Sequence, residues 1–455
     1  MNILDVSSRG IIMLDMTKGN SNKLIIRFAL PMILGNVFQQ LYNLVDTIVV
    51  GRFVGPDALA AVGSSFAIVT FITSIIIGLA MGVGVILAQS YGSKENDKFK
   101  EISITSFIFI GGITLVLMVI SLISINLLLD LFNMPSELLG SAKEYLIIIL
   151  LGIGFTFIYN LATAILRAIG DSKSPLYFLI IASLINVALD LVFVINFNLG
   201  VKGVALATII AQGVSAILSI IYVFKNVSFI KIERKDIRIK KDTLKLVANY
   251  SILTSVQQSI MNFGILIVQG LVNTFGVTVM AAFAAGVKID SIAYMPVQDF
   301  GNAFSTYVAQ NKGAGKPERI KEGVKGAIKI IITFCLFVST LILIFSKNIM
   351  LLFVDKGEEE VIRLGVEYIS VVAIFYVLIG FLFMFYGLYR GLGMLKMSII
   401  LTIISLGSRV ILSYILSSTV LGANGIWWSI PIGWALADGV GFYIYRKSRT
   451  ISNKN

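Results

Sequence analysis

The sequence predicts an all-α polytopic membrane protein, with twelve transmembrane helices in two pseudo-symmetric lobes of six. Composition comes first. Of 455 residues, 57% are apolar types and 14% charged, against roughly 25% charged in soluble domains. Length comes second. The apolar residues run in blocks such as 102–129 and 145–169, longer than the 18 or so needed to cross a bilayer. The third observation is that the second half repeats the first. A soluble enzyme, a disordered chain and a fibrous protein are excluded by the first two.

The spans fall near 24–50, 57–90, 103–129, 139–169, 174–196, 203–224, 246–272, 278–311, 326–346, 364–389, 394–417 and 424–445. The first twenty residues lack the basic, apolar and small-residue order of a cleaved signal, so the first span is expected to be retained. An even number of spans puts both termini on one side. The termini and even-numbered loops hold 29 Lys and Arg, the odd-numbered loops 6, and Lys288 and Arg409 lie within spans. By the positive-inside rule the termini are cytoplasmic, in a plasma (inner) membrane. The net charge of +12 is then mostly a topology signal. No aromatic platform accompanies it, so nucleic acid is not an expected partner.

At an offset of 221, Gly55, Ala88, Gln89 and Gly92 meet Gly276, Ala309, Gln310 and Gly313. Arg167-x-x-Gly170-x-x-Lys173 meets Arg390-x-x-Gly393-x-x-Lys396 at 223. The expected organisation is a cytoplasmic segment at 1–23, an N-lobe at 24–225, a basic cytoplasmic linker at 226–245, a C-lobe at 246–445 and a tail at 446–455. Six spans per copy make the repeats parallel. Such repeats suit a rocking-bundle transporter with substrate between the lobes.

Missing residue types narrow the chemistry. There is no histidine, and the one cysteine, Cys335, lies in an apolar run. His-based catalysis, disulfides and thiolate metal clusters are therefore excluded. Gly313-Ala314-Gly315-Lys316 is not a phosphate loop, since Gln310 and Pro317 occupy positions the motif reserves for Gly and Ser or Thr. With no ATP site and no cofactor expected, energy must come from an ion or substrate gradient. No enzyme is expected.

Polar groups inside spans carry the functional reading, because a charge at mid-bilayer costs roughly 2.5–3.5 kcal/mol. On the first span Gln39, Tyr42, Asn43 and Asp46 recur at steps of three and four and share a face. On the fifth, Asn186 and Asp190 are four apart. Thr208 lies at matching depth on the sixth. Two carboxylates, an amide and a hydroxyl suit Na⁺ or an exchangeable proton; hydrogen bonding between helices is the structural alternative. The seventh span carries Gln258, Asn262 and Gln269 but no acid. The eighth carries Lys288, Asp290 and Asp299, and Arg409 and Asp438 follow on the eleventh and twelfth. Lys288 is expected to pair with Asp299 or Asp438, or to serve substrate. Pro31 and Pro296 are candidate hinges or static kinks.

The sequence resembles the multidrug and toxic compound extrusion (MATE) transporters over essentially its whole length. The residues that carry this are 31–51 (PMILGNVFQQLYNLVDTIVVG), Ala88-Gln89-x-x-Gly92, Arg167-Ala168-x-Gly170-Asp171, Asn186-x-x-x-Asp190 and Val308-Ala309-Gln310-Asn311-x-Gly313. The resemblance implies a V-shaped pair of lobes that exports organic cations in exchange for H⁺ or Na⁺. Similarity to the DinF-type branch implies cation coupling at Asp46, Asn186, Asp190 and Thr208, which would be the ligands of a coupling Na⁺. Gln39, Tyr42, Asn43, Gln258, Asn262 and Asp299 are the candidates for the substrate cleft. The NorM-type branch looks instead to acids of the seventh and tenth spans, which are missing here. Expected partners are small organic cations and membrane lipids, with the chain a monomer. The competing reading is a flippase for lipid-linked precursors, which would need a cationic cleft; only Lys288 and Arg409 are basic within spans. A channel or a scaffold without transport is the remaining alternative, against which the duplication and the acid cluster speak.

Overall fold

The computed structural model describes residues 4–6, 12–131, 134–230 and 239–452. Two short antiparallel strands, β1 (Leu4–Val6) and β2 (Ile12–Leu14), open the chain. The first repeat then contributes α1 (Ser21–Val49), α2 (Pro56–Gly92), α3 (Asn96–Ile123), α4 (Ile125–Leu131), α5 (Leu139–Leu151), α6 (Ile153–Ala168), α7 (Lys173–Leu191) and α8 (Gly200–Asn226). The second contributes α9 (Lys241–Asn273), α10 (Val277–Gly313), α11 (Pro317–Met350), α12 (Glu359–Ile374), α13 (Tyr376–Gly391), α14 (Leu395–Ser417) and α15 (Ala423–Ser452).

Among the described residues, nine helices are long and apolar enough to cross a bilayer singly. Two bent pairs raise that to eleven: α5 with α6, at 43°, and α12 with α13, at 54°. α15, with 30 residues, is long enough to be the twelfth span. The fourth and tenth spans are thus broken helices, at Gly152 and Phe375, where the sequence reads as unbroken apolar runs. Gly152 has a reason for its identity, since a Cβ there would collide with the Ile209 side chain of α8.

The repeat is visible in backbone conformation. Gly170 and Gly393, which close the turns after α6 and α13, have φ of 89° and 72°. Both lie in the left-handed region that only glycine enters without cost. The Arg-x-x-Gly spacing is therefore a helix-stop device used twice.

The chain forms two compact units. The first comprises Met1–Gly19, Leu30–Val256 and Ala309–Gly315; the second comprises Asn20–Ala29, Gln257–Val308 and Lys316–Asn455. The units therefore do not follow the two sequence halves end to end. The first turns of α1 belong to the second unit, where the Ser21 and Tyr307 hydroxyls are hydrogen-bonded at 2.7 Å. The end of α10 belongs to the first.

The core of the first unit joins α2, α3, α5 and α6 through Val83, Leu87, Phe99, Leu150 and Leu166, all buried. Phe99 meets Phe229 edge-on at 5.2 Å, a geometry worth about 0.5–1.5 kcal/mol beyond the area buried. The outer faces of α3 and α11 carry exposed Leu115, Val116, Ile120, Phe337 and Ile344. Such an apolar exterior belongs against lipid.

Residues 14–18 are built into the first unit. The Leu14 amide donates to the Gly170 carbonyl at 3.3 Å, and the Met16 amide to Gln310 Oε1 at 3.1 Å. Asn311 Nδ2 donates to the Met16 carbonyl at 3.0 Å, and Gln310 Nε2 to the Ala168 carbonyl at 2.8 Å. Met16 is 0% exposed. Burial would raise the Asp15 carboxyl, but the Thr17 hydroxyl and amide and the Lys18 ammonium hold it below its ordinary value. The basic linker is anchored at its end, where Lys240 and Thr243 both bond Glu101 of α3. Residues 231–238 of that linker lie outside the described residues.

Candidate functional site

α1 and α7 run side by side in the first unit, with Gly35 lying against Leu176 and Leu179. Each passes into a single π-helical turn shortly after its acid. The turn Val50–Val54 begins four residues beyond Asp46, and Val192–Asn196 two residues beyond Asp190. Both turns close their helices, and the chain leaves the helix at Gly55 and Phe197. Valines pack the two turns together: Val50 and Val194 belong to one small core with Val49, Ala58, Val201 and Val204.

The result is a carboxyl pair. Asp46 and Asp190 are electrostatic neighbours across the two helices. Asp190 is 0% exposed and Asn186, one turn earlier on the same face, 2%. Neither Asp190 oxygen has a donor, nor has Asp46 Oδ1, and both polar atoms of Asn186 are also unpartnered. Two carboxylates in contact within a low-dielectric interior cannot both stay charged without compensation. The pair can share a proton, or enclose a cation between its oxygens. Asn186 Oδ1 could join such a cation as a neutral ligand, as hard cations favour oxygen donors. Among the described residues no cluster of three or more Asp, Glu, His or Cys exists, so a divalent-type carboxylate cage is not what is built here.

The other predicted residues fall at different distances from the pair. Tyr42 lies beside Asp46 and Asp190, with its hydroxyl at the Gln39 side chain. Asn43 Nδ2 donates to Gln40 Oε1 at 3.3 Å along its own helix. Thr208 donates to the Val204 carbonyl at 2.9 Å, leaving only lone pairs to offer a ligand. Tyr145 of α5 also stands beside Asp46, Tyr42 and Asp190, and sequence reasoning missed it. The signal was available, since Tyr145 and Tyr368 occupy equivalent repeat positions 223 apart.

The second unit has its own buried polar group, of different chemistry. Tyr368 donates to Asp290 Oδ2 at 3.4 Å. Arg409, 223 residues after Asn186, stands in electrostatic range of Asp290, Tyr294 and Tyr368. A guanidinium therefore sits beside the carboxylate where the first unit offers only amide and oxygen atoms. Asp438 of α15 is 4% exposed with both oxygens unpartnered. Asp299 is buried and engaged, whereas Gln258 and Asn262 on α9 are half-buried. The pairing expected of Lys288 does not form. Among the described residues no carboxylate lies within 4.0 Å of it, and its side chain is exposed on α10 instead.

The MatE family profile matches residues 31–192 and 251–415, one segment in each repeat. The probable multidrug resistance protein YpnP of Bacillus subtilis (strain 168) is 30% identical over 441 residues, 96% of this chain and 97% of that one. Multidrug export protein MepA of Staphylococcus aureus (strain MW2) is 22% identical over 434 residues, 94% of this chain and 95% of its own. A solved multidrug resistance MATE family transporter of the MOP superfamily, in an outward-facing conformation, superposes with a TM-score of 0.90 at 26% identity, covering 97% of this chain and 98% of that chain. Sequence profile, full-length relatives and fold agree, and the chain belongs to the MatE family of multidrug and toxic compound extrusion transporters.

Proposed function

We propose that this protein is a secondary antiporter of the plasma membrane, with both termini cytoplasmic, that exports lipophilic organic cations in exchange for H⁺ or Na⁺. One observation carries the coupling assignment: Asp46 of α1 and Asp190 of α7 are neighbours, with Asp46 Oδ1 and both Asp190 oxygens buried and unfilled. Relatives that cover nearly the whole chain bear multidrug resistance and export names, which supports the cargo. The duplication supports alternating access by rocking of the two bundles.

The mechanism follows from charge. An empty pair is an uncompensated anionic site that attracts a cation from the side where cations are abundant. Filling it removes the repulsion between α1 and α7 and lets the two helices repack, with Pro31 as the point in α1 where a backbone hydrogen bond is already missing. Releasing the cation on the other side restores the charged pair. If Na⁺ is the ion, Asp46, Asn186, Asp190 and Thr208 supply its oxygens; if H⁺, the carboxyls alone suffice. A lipophilic cation would be held by aromatic and Met side chains with a carboxylate for charge complementarity.

The test uses the purified chain in liposomes loaded with ethidium. A Na⁺ gradient and a pH gradient are imposed separately on wild type and Asp46→Asn. Dye movement should respond to one gradient and fall to background in the variant. Normal gradient-driven export by folded Asp46→Asn would sink the assignment.

A further inference from the structure

Lys288 has no use in the coupling site, yet it is a lysine inside a span. It lies eleven residues into α10, about 16 Å along the helix from Val277. No carboxylate among the described residues neutralises it. An ammonium without a carboxylate partner on a spanning helix is a candidate for function. The fold does not require it either. The equivalent position in the first repeat, 221 residues earlier, is Ala67 on α2, and that helix is built to the same length of 37 residues.

What Lys288 does face is a cavity of about 410 Å³ within the second unit, inside the size range of small-molecule sites. Ala281, Ala284, Ala285 and Lys288 line it from one face of α10, at steps of three and four. Small side chains leave the room, and the lysine provides the charge. Phe353, Val354 and Val361 supply an apolar wall, and Glu358, exposed at the start of α12, provides an opposite charge. Glu358 and Lys288 line the same cavity but do not meet as an ion pair. A carboxylate and an ammonium held apart across an apolar cavity complement a molecule with the reverse arrangement.

We infer that this cavity is a second substrate-binding site, for amphipathic zwitterions, with Lys288 receiving the ligand's carboxylate and Glu358 its ammonium. The inference rests on the exporter reading for its role in transport.

The test is equilibrium binding to the full-length protein in lipid nanodiscs, using three probes with one apolar body. These are 2-naphthylalanine (zwitterion), its N-acetyl derivative (anion) and its methyl ester (cation). Wild type should bind the zwitterion tightest. Lys288→Met should weaken the zwitterion and the anion about tenfold, the scale of a lost charge-assisted hydrogen bond, and leave the ester unchanged. Lys288→Arg should keep the carboxylate preference. Glu358→Gln should weaken the zwitterion and the ester but not the anion. Equal affinity for all three probes in wild type would overturn the inference, as would an equal loss of all three in Lys288→Met. Should Lys288→Met fail to fold, the wild-type ranking and Glu358→Gln decide. Gradient-driven ethidium export by wild type is read in parallel. Export without probe preference sinks this site alone; probe preference without export sinks the exporter reading and leaves the site.

Discussion

At the scale of single residues, two glycines show how context reverses a propensity. Gly92 ends α2 and Gly313 ends α10. A Cβ on Gly92 would run into the Gln310 carbonyl, and one on Gly313 into the Gln89 carbonyl. Helix propensity alone favours alanine over glycine by about 1 kcal/mol. Overpacking against a backbone carbonyl costs about 1–3 kcal/mol and wins, because backbone cannot rotate away. Gly92→Ala and Gly313→Ala should each lower the thermal unfolding midpoint, whereas Gly112→Ala, with nothing within 4 Å of its would-be Cβ, should hold or raise it. A rise in all three would mean the contact is loose. The Ala-Gln-x-x-Gly repeat was plain in the sequence, but its meaning was not, since a motif seen twice does not say that its copies touch. Asp46 and Asp190 were more legible. Polar residues at helical spacing on apolar spans have few places to point, and the structure brings these two together. Tyr145 escaped because its companion, Tyr368, lies in the other repeat and nothing local marks either tyrosine.

At the scale of elements, boundaries were readable and breaks were not. Most spans fall within several residues of their helices because apolar runs must match bilayer thickness, though α11 starts nine residues before the span expected at 326–346, and the span at 103–129 crosses the break between α3 and α4. The bends at Gly152 and Phe375 left no mark, as neither carries the proline that usually announces one. Residues 14–18 were equally hidden. Their partners, Gln310 and Asn311, lie nearly 300 positions away, and hydrogen bonds at that separation impose no local pattern. That attachment has a measurable strength. Gln310 is completely buried and serves both Met16 and Ala168, so its loss strands a buried amide and a buried carbonyl, at about 1–3 kcal/mol each. Gln310→Ala should speed amide hydrogen exchange at Met16 severalfold while α3 exchanges as before. Unchanged protection at Met16 would show that apolar burial alone holds the segment.

At the scale of the whole molecule, charge distribution predicts an orientation that labelling can test. Single cysteines introduced into a Cys335→Ala background at Lys94 and at Ser418, both exposed, should react differently with an impermeant maleimide added to intact cells. Ser418→Cys should label from outside and Lys94→Cys only after permeabilisation. The reverse pattern would invert the topology. Cys335 is 1% exposed and lies against Gly380, so its replacement by alanine should be mild. The second unit shows where reading from halves falls short. Duplication predicts equivalent chemistry, but the second unit sets the guanidinium of Arg409 in range of Asp290, where the first unit brings two carboxyls together. Substitution after duplication changes charge without changing the spacing of apolar residues, so periodicity is blind to it.

The reciprocal seat of the two Ala-Gln-x-x-Gly segments has one further consequence. Each lends its glycine to the other's carbonyl, the exchange rule of a two-fold interface. A contact of that kind works as well between two identical chains as between two parts of one. A polypeptide ending after α8 would carry one complete copy of it, and with it the means to recognise its own duplicate.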